Sequence, residues 1–224
     1  MGPLLYSLLR FVKPRVCLEV GAGYTTVFLL QALEDNHQEE ELWRGWNPAA
    51  DGSMTRESWL AAGGEDEKKA EGILHCVDNL AHSGTTAHKC LSVARCLGLE
   101  SRLHLHIDDG KAFIEESLDT VPSFDFIWLD GLLDFTRSSC SKTVAEGSWG
   151  QGIDQLLQLI WPRIAPGGLL LLHSTLTNST VRQWLQGVDG KGPPSAAVLS
   201  LLEPHKRFQN SCTLIQNRPD GWAG

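Results

Sequence analysis

Five carboxylates and one imidazole stand where chemistry could be carried out. Glu19 leads into the turn Val20-Gly21-Ala22-Gly23. Asp78, the pair Asp108 and Asp109, and Asp130 each follow an apolar run, and His173 closes a run of leucines. Gly21 and Gly23 let the backbone turn sharply and approach a ligand closely. A helix starting just after them would aim its amino terminus at the same place. A dinucleotide site wants a third glycine three residues further on; here that position is Thr26, preceded by Thr25, and a β-branched residue is a poor substitute. Glu19 would repel a pyrophosphate, whereas it could accept bonds from an ammonium group. The pattern favours a nucleoside carrying an amino acid over one carrying phosphates. A structural turn beside a solvated acid is the plainer alternative.

His173 has the side chain that titrates nearest neutrality, which makes it the first candidate for proton transfer. Asp130 ends the neighbouring predicted strand and would orient it. A satisfied structural histidine is the alternative. His75 and His104 fall on predicted strands and read as packing or surface groups.

The elements that must position these groups alternate. A short helix over 4–12 is cut by Pro14. Strands are expected at 16–20, 73–77, 103–107, 124–129, 169–172, 196–202 and 211–216. Helices are expected at 25–33, 84–97, from Lys111 onward, 151–163 and 179–187, with a glycine- and proline-rich loop at 187–194. Strands that are almost wholly apolar and alternate with helices mean an α/β fold, a mostly parallel sheet covered on both faces. Acids at the carboxyl ends of successive parallel strands lie at the crevice where such sheets bind ligands. Either Asp108 or Asp109 could instead cap the helix that follows.

A chain of 224 residues with 42% apolar content suits one globular domain. Its net charge of -8 disfavours a nucleic-acid partner, whose affinity comes from cationic side chains. That charge is compatible with a neutral or cationic small molecule. Cysteines at 17, 76, 90, 96, 140 and 212 form no zinc-type spacing and read as reduced, in an intracellular, cytoplasmic protein. The apolar opening is too short for a membrane span, and no membrane partner is expected.

Two segments break the rhythm. Residues 34–72 are charged, glycine-rich and carry Trp43, Trp46 and Trp59; the stretch reads as an insertion within a single 1–224 domain. It is a lid over the pocket, a subunit contact that would make a homodimer, or local packing, and its acids read as solvated face. Residues 131–153 would help enclose an acceptor, with Phe135, Arg137, Trp149 and Gln151 as candidates.

Taken together, "EVGAGYTT" resembles the first motif of the class I S-adenosylmethionine-dependent methyltransferases, and the resemblance covers nearly the whole chain. It implies a Rossmann-like seven-stranded sheet of order 3-2-1-4-5-7-6 with the seventh strand antiparallel. It implies S-adenosyl-L-methionine as methyl donor, with S-adenosyl-L-homocysteine as product and a small-molecule acceptor. The resemblance puts Glu19, Gly21, Gly23 and Thr25 at the cofactor, and Tyr24, at the mouth of its pocket, would touch the methionine moiety or the acceptor. Asp78 would hold the ribose hydroxyls, with Asn79 beside it. Asp109, followed by Gly110, would accept from the adenine amino group, a better match than Asp108. Asp130 would stand near the sulfonium and the substrate. "RIAPGGLLLLHSTLTN" is similar to the family's fifth strand as small-molecule enzymes carry it. Relatives like catechol O-methyltransferase hold a divalent metal with one Asp after strand four and an Asp-Asn pair after strand five. Asp130 matches the first, but His173-Ser174 stands at the second, with Asn178 further on and Asp134 in a loop, so no required metal is expected. The expected activity is methyl transfer to oxygen or nitrogen, with His173 as base. The rivals are a fold that binds without catalysing and an NAD-linked dehydrogenase.

Overall fold

The computed structural model describes residues 1–45, 72–81, 84–130, 159–173, 196–202 and 211–218. Its helices are α1 (Gly2–Val12), α2 (Tyr24–Gly45), α3 (Ala87–Cys96) and α4 (Gly110–Glu116). Its strands are β1 (Val16–Val20), β2 (Ile73–Val77), β3 (Leu103–His106), β4 (Phe124–Leu129), β5 (Ile164–His173), β6 (Ala196–Leu202) and β7 (Ser211–Asn217). The strands form one sheet in the order β3-β2-β1-β4-β5-β7-β6. Strands β1 to β5 pair in parallel, and β7 runs antiparallel to both β5 and β6. This is the Rossmann-like order expected from the sequence.

Alternation along the strands splits the core in two. Cys17, Leu74, Cys76, Phe126, Trp128 and Leu171 pack with Leu5 and Leu9 of α1, Leu29 and Leu33 of α2, and Cys90 of α3. Leu18, Val77, Ile127, Leu129 and Leu170 face the other way, onto Phe113 and Ile114 of α4. Each fully buried leucine contributes about 1.5–3 kcal/mol relative to exposure. Because both faces are covered, the central strands can be apolar throughout, and that is why β1, β2 and β4 were readable to the residue.

Helix α2 runs beyond its expected end at Leu33. The acids that open the charged segment have structural partners: Tyr6 Oη donates to Asp35 at 2.6 Å, and Arg10 reaches both Asn36 and Glu39. Lys13 meets Glu39 at 3.2 Å. Arg102 pairs with Glu34 at 2.6 Å. Asn36, itself buried, donates to the Leu9 carbonyl. Charge that reads as solvated face thus fastens α2 to α1 and to the start of β3. Trp43 falls in α2; Trp46, Trp59, Cys140, the loop 131–153, Ser174, Asn178, the helix expected at 179–187 and the loop at 187–194 lie outside the described residues. Strand β5 starts earlier than expected, at Ile164, and takes in the Ala165-Pro166-Gly167-Gly168 turn. Cys17, Cys76, Cys90 and Cys212 are free and buried, and Cys96 is free and exposed. Among the described residues no helix is long and apolar enough to cross a membrane.

Candidate active site

The ends of β1, β2 and β4 are tied into one turn. Gly21 N–H donates to the Val77 carbonyl at 2.8 Å, and Asp130 N–H to the Val20 carbonyl at 2.9 Å. Gly21 takes φ +97°, and a Cβ there would stand 2.3 Å from the Asp130 carbonyl oxygen. Only glycine fits, on conformation and on space alike. Gly23 N–H donates to Thr26 Oγ1 at 2.9 Å. Thr26, in the place of the missing third glycine, is buried and fastens the turn from beneath.

Asp78 follows β2 and holds the turn from the other side. Its Oδ2 accepts from Ala22 N–H at 3.0 Å, and its Oδ1 accepts from Leu80 N–H at 2.7 Å. The Thr85 hydroxyl lies 3.4–3.5 Å from its two oxygens. Asn79 makes a local turn with Ala81 N–H. Asp109 caps α4, accepting from Lys111 and Ala112 N–H through Oδ1, and Asp108 accepts from Asp109 N–H. The capping alternative is therefore realised at Asp109, which is followed by the buried Gly110. Tyr24 opens α2 with its ring 65% exposed and edge-on to Phe28.

Glu19 differs from its expected orientation. It is 0% exposed and lies under the turn, where Oε1 accepts from Thr25 Oγ1 at 2.6 Å and Oε2 from Cys76 Sγ at 3.2 Å. The cause is the two-residue period of β1: Glu19 shares a face with Cys17, the face that α2 covers. Burial raises its pKa to about 7, and the Asp130 carboxylate pushes the same way. The bonds from Thr25, Thr26 and Cys76 pull it down.

Asp130 and His173, on adjacent strand ends, come together as expected: Asp130 Oδ1 meets His173 Nδ1 at 2.7 Å, with side chains 39% and 20% exposed. Under them lies Trp128, a residue that sequence reasoning passed over. It is fully buried, its ring stands 5.5 Å from that of His173, and its indole nitrogen has no partner among the described residues. Its spacing of two before Asp130 was the available signal. Thr26 and Cys76 were likewise missed as parts of the turn's floor.

The other face of the sheet carries a histidine cluster that the crevice does not use. His75 Nδ1 and His106 Nε2 are 3.2 Å apart, and His104 stands edge-on to His75. Burial, then the neighbouring imidazoles of His104 and His106, lower the His75 pKa to about 4. Among the described residues, no group of three histidine, cysteine or acidic side chains is arranged to hold a metal ion.

A family model described as a methyltransferase domain matches residues 18–175. No curated protein matches the chain in sequence. Among solved structures, the chain is similar to the O-methyltransferase TomG from Streptomyces achromogenes, involved in tomaymycin synthesis and solved in complex with SAM. The identity is 15% and the TM-score 0.61, over 97% of this chain and 79% of that one. It is also similar to the O-methyltransferase from Bacillus cereus in complex with SAH, with 13% identity and a TM-score of 0.60, over 97% of this chain and 80% of that one. At these identities the likeness is one of fold.

Proposed function

The chain belongs to the methyltransferase-domain family, and from that membership we propose that it transfers the methyl group of S-adenosylmethionine to an oxygen or nitrogen of a small molecule. The observation that carries the reading is that Asp130 joins two devices: its backbone meets the glycine turn, and its side chain holds His173. A ligand seated on the turn is thereby next to a proton-accepting pair.

The residues fit the donor. Gly21 keeps the turn clear of side chain, Asp78 offers acceptors suited to a ribose diol, and Asp109 is the acceptor we assign to the adenine amino group. Tyr24 is exposed at the start of α2, and no lysine or arginine among the described residues bonds to Asp78, Asp109 or Asp130. When bound, S-adenosylmethionine supplies a methyl group on a sulfonium, a leaving group that needs no acid. The chain's own work is alignment and proton removal. His173, fixed through Nδ1, takes the acceptor's proton at Nε2, and the Asp130 carboxylate steadies the imidazolium. No divalent metal belongs to this scheme, because His173 stands where metal-using relatives carry an acid, and turnover should survive chelation.

Titration with S-adenosylhomocysteine and with NADH, followed by transfer assays on hydroxyl and amine acceptors, tests the reading. We expect the homocysteine nucleoside to bind more tightly and some acceptor to be methylated. Tighter NADH binding would replace the reading with a dehydrogenase, and binding without transfer to any acceptor would favour a non-catalytic binding protein.

A further inference from the structure

The scheme above leaves Glu19 without a task. Its side chain is wholly buried, and its bonding partners are hydroxyls and a thiol: Thr25 at 2.6 Å and Cys76 at 3.2 Å, with the Thr26 contribution between those two in size. The titratable groups around it, among the described residues, are Cys76 on β2, Cys90 on α3 and Asp130 after β4. None of them is a cation. Burial raises both thiols above their ordinary values, so the only nearby charge is a second carboxylate. A carboxylate removed from water needs a cation or a full set of donors, and otherwise takes up a proton. Among the described residues Glu19 has neither a cation nor a backbone N–H as partner.

We propose that Glu19 is a proton-linked sensor of ligand charge: it holds a proton while the glycine turn is empty and gives that proton to solvent when a cationic ligand seats on the turn. The inference rests on the S-adenosylmethionine reading and deepens it. The missing countercharge is supplied by the donor, which carries a sulfonium and an ammonium against one carboxylate. The demethylated product has lost the sulfonium charge, so it stabilises ionised Glu19 less. Glu19 then favours donor over product, and its reprotonation accompanies product release. The bond from Thr25, in the first turn of α2, couples the carboxyl to the helix end that borders the ligand.

The test is calorimetric titration of the full chain with S-adenosylmethionine at pH 7, in phosphate and in Tris, whose ionisation enthalpies differ. A group that titrates at about 7 releases about half a proton there, and the dissociation constant then rises towards about tenfold per pH unit below 7. Glu19→Gln should bind with no such release and with an affinity that is flatter between pH 5.5 and 8. Thr25→Val, which removes one donor from the ionised carboxylate, should move the onset of the affinity loss to higher pH, and serves where the first variant folds poorly. S-adenosylhomocysteine should release fewer protons than the donor. Binding of the donor with no linked proton, or with the same linkage in Glu19→Gln, overturns the inference and leaves the cofactor reading standing. No binding at any pH overturns both.

Discussion

The two ends of the sheet treat charge in opposite ways. At the amino ends of the parallel strands Asp125, Arg102 and Arg163 are each matched. Asp125 accepts from Arg15 and Val16 N–H, and Arg102 joins Glu34 to the Gly72 carbonyl. Arg163 donates to the carbonyls of Ile114, Val121 and Pro122, and Asn217 donates to the Ile164 carbonyl. At the carboxyl ends, Glu19, Asp78, Asp109 and Asp130 gather with backbone amides, hydroxyls, a thiol and one imidazole for company. The contrast separates charge that holds the fold from charge that the proposed function assigns to a ligand.

The largest effect expected from that contrast is catalytic. His173→Ala should lower turnover by about 10²–10⁴-fold, while the donor's dissociation constant stays nearly the same; unaltered turnover would take His173 out of the mechanism. Next comes a change at the opposite end. Arg163→Met strips donors from three carbonyls and should cost about 3 kcal/mol of stability by chemical denaturation. Donor affinity should not move, and a parallel loss of binding would mean that the two ends are not separable.

Asp78→Ala is the converse case. It should weaken donor binding about 10- to 100-fold by calorimetry, and an unchanged affinity rejects Asp78 as the ribose acceptor. The smallest effect belongs to His75, which neither end uses. Its folded pKa, about 4, lies below the unfolded value near 6.5. The unfolded chain therefore takes up its proton first, and stability is whole above pH 6.5 and falls as the pH drops towards 4. Allowing for partial exposure, the loss is about 1–2 kcal/mol. His75→Phe should flatten denaturation midpoints across that window, and an equal acid loss in the variant would assign the sensitivity elsewhere.

The central strands were legible because a parallel strand buried on both faces is an apolar run with sharp ends, as β1, β2 and β4 are. The length of α2 was not legible, because Glu34, Asp35 and Glu39 look like solvated charge until Arg102, Tyr6 and Arg10 are brought to them by the fold. The crevice acids were legible as strand-end residues, and the pairing of Asp130 with His173 followed from neighbouring strands. What Glu19 bonds to was not, because the sequence gives its distance from Gly21 and not the helix above it. Its two-residue spacing from Cys17 was the clue that it would turn inward. His106, hidden in Leu-His-Leu-His, joined His75 only once the register of β2 and β3 was known.

Helix α2 also fixes where the chain can be altered at a distance from the chemistry. It starts at the crevice with Tyr24, passes the foot of β3 at Glu34 and the foot of β1 at Glu39, and its 22 residues span about 33 Å. Gly72, whose carbonyl accepts from Arg102, leads into β2 at the pole opposite the glycine turn. Substitutions at Glu34 or Glu39 would therefore load the pole that holds the fold and leave the ligand's end unburdened.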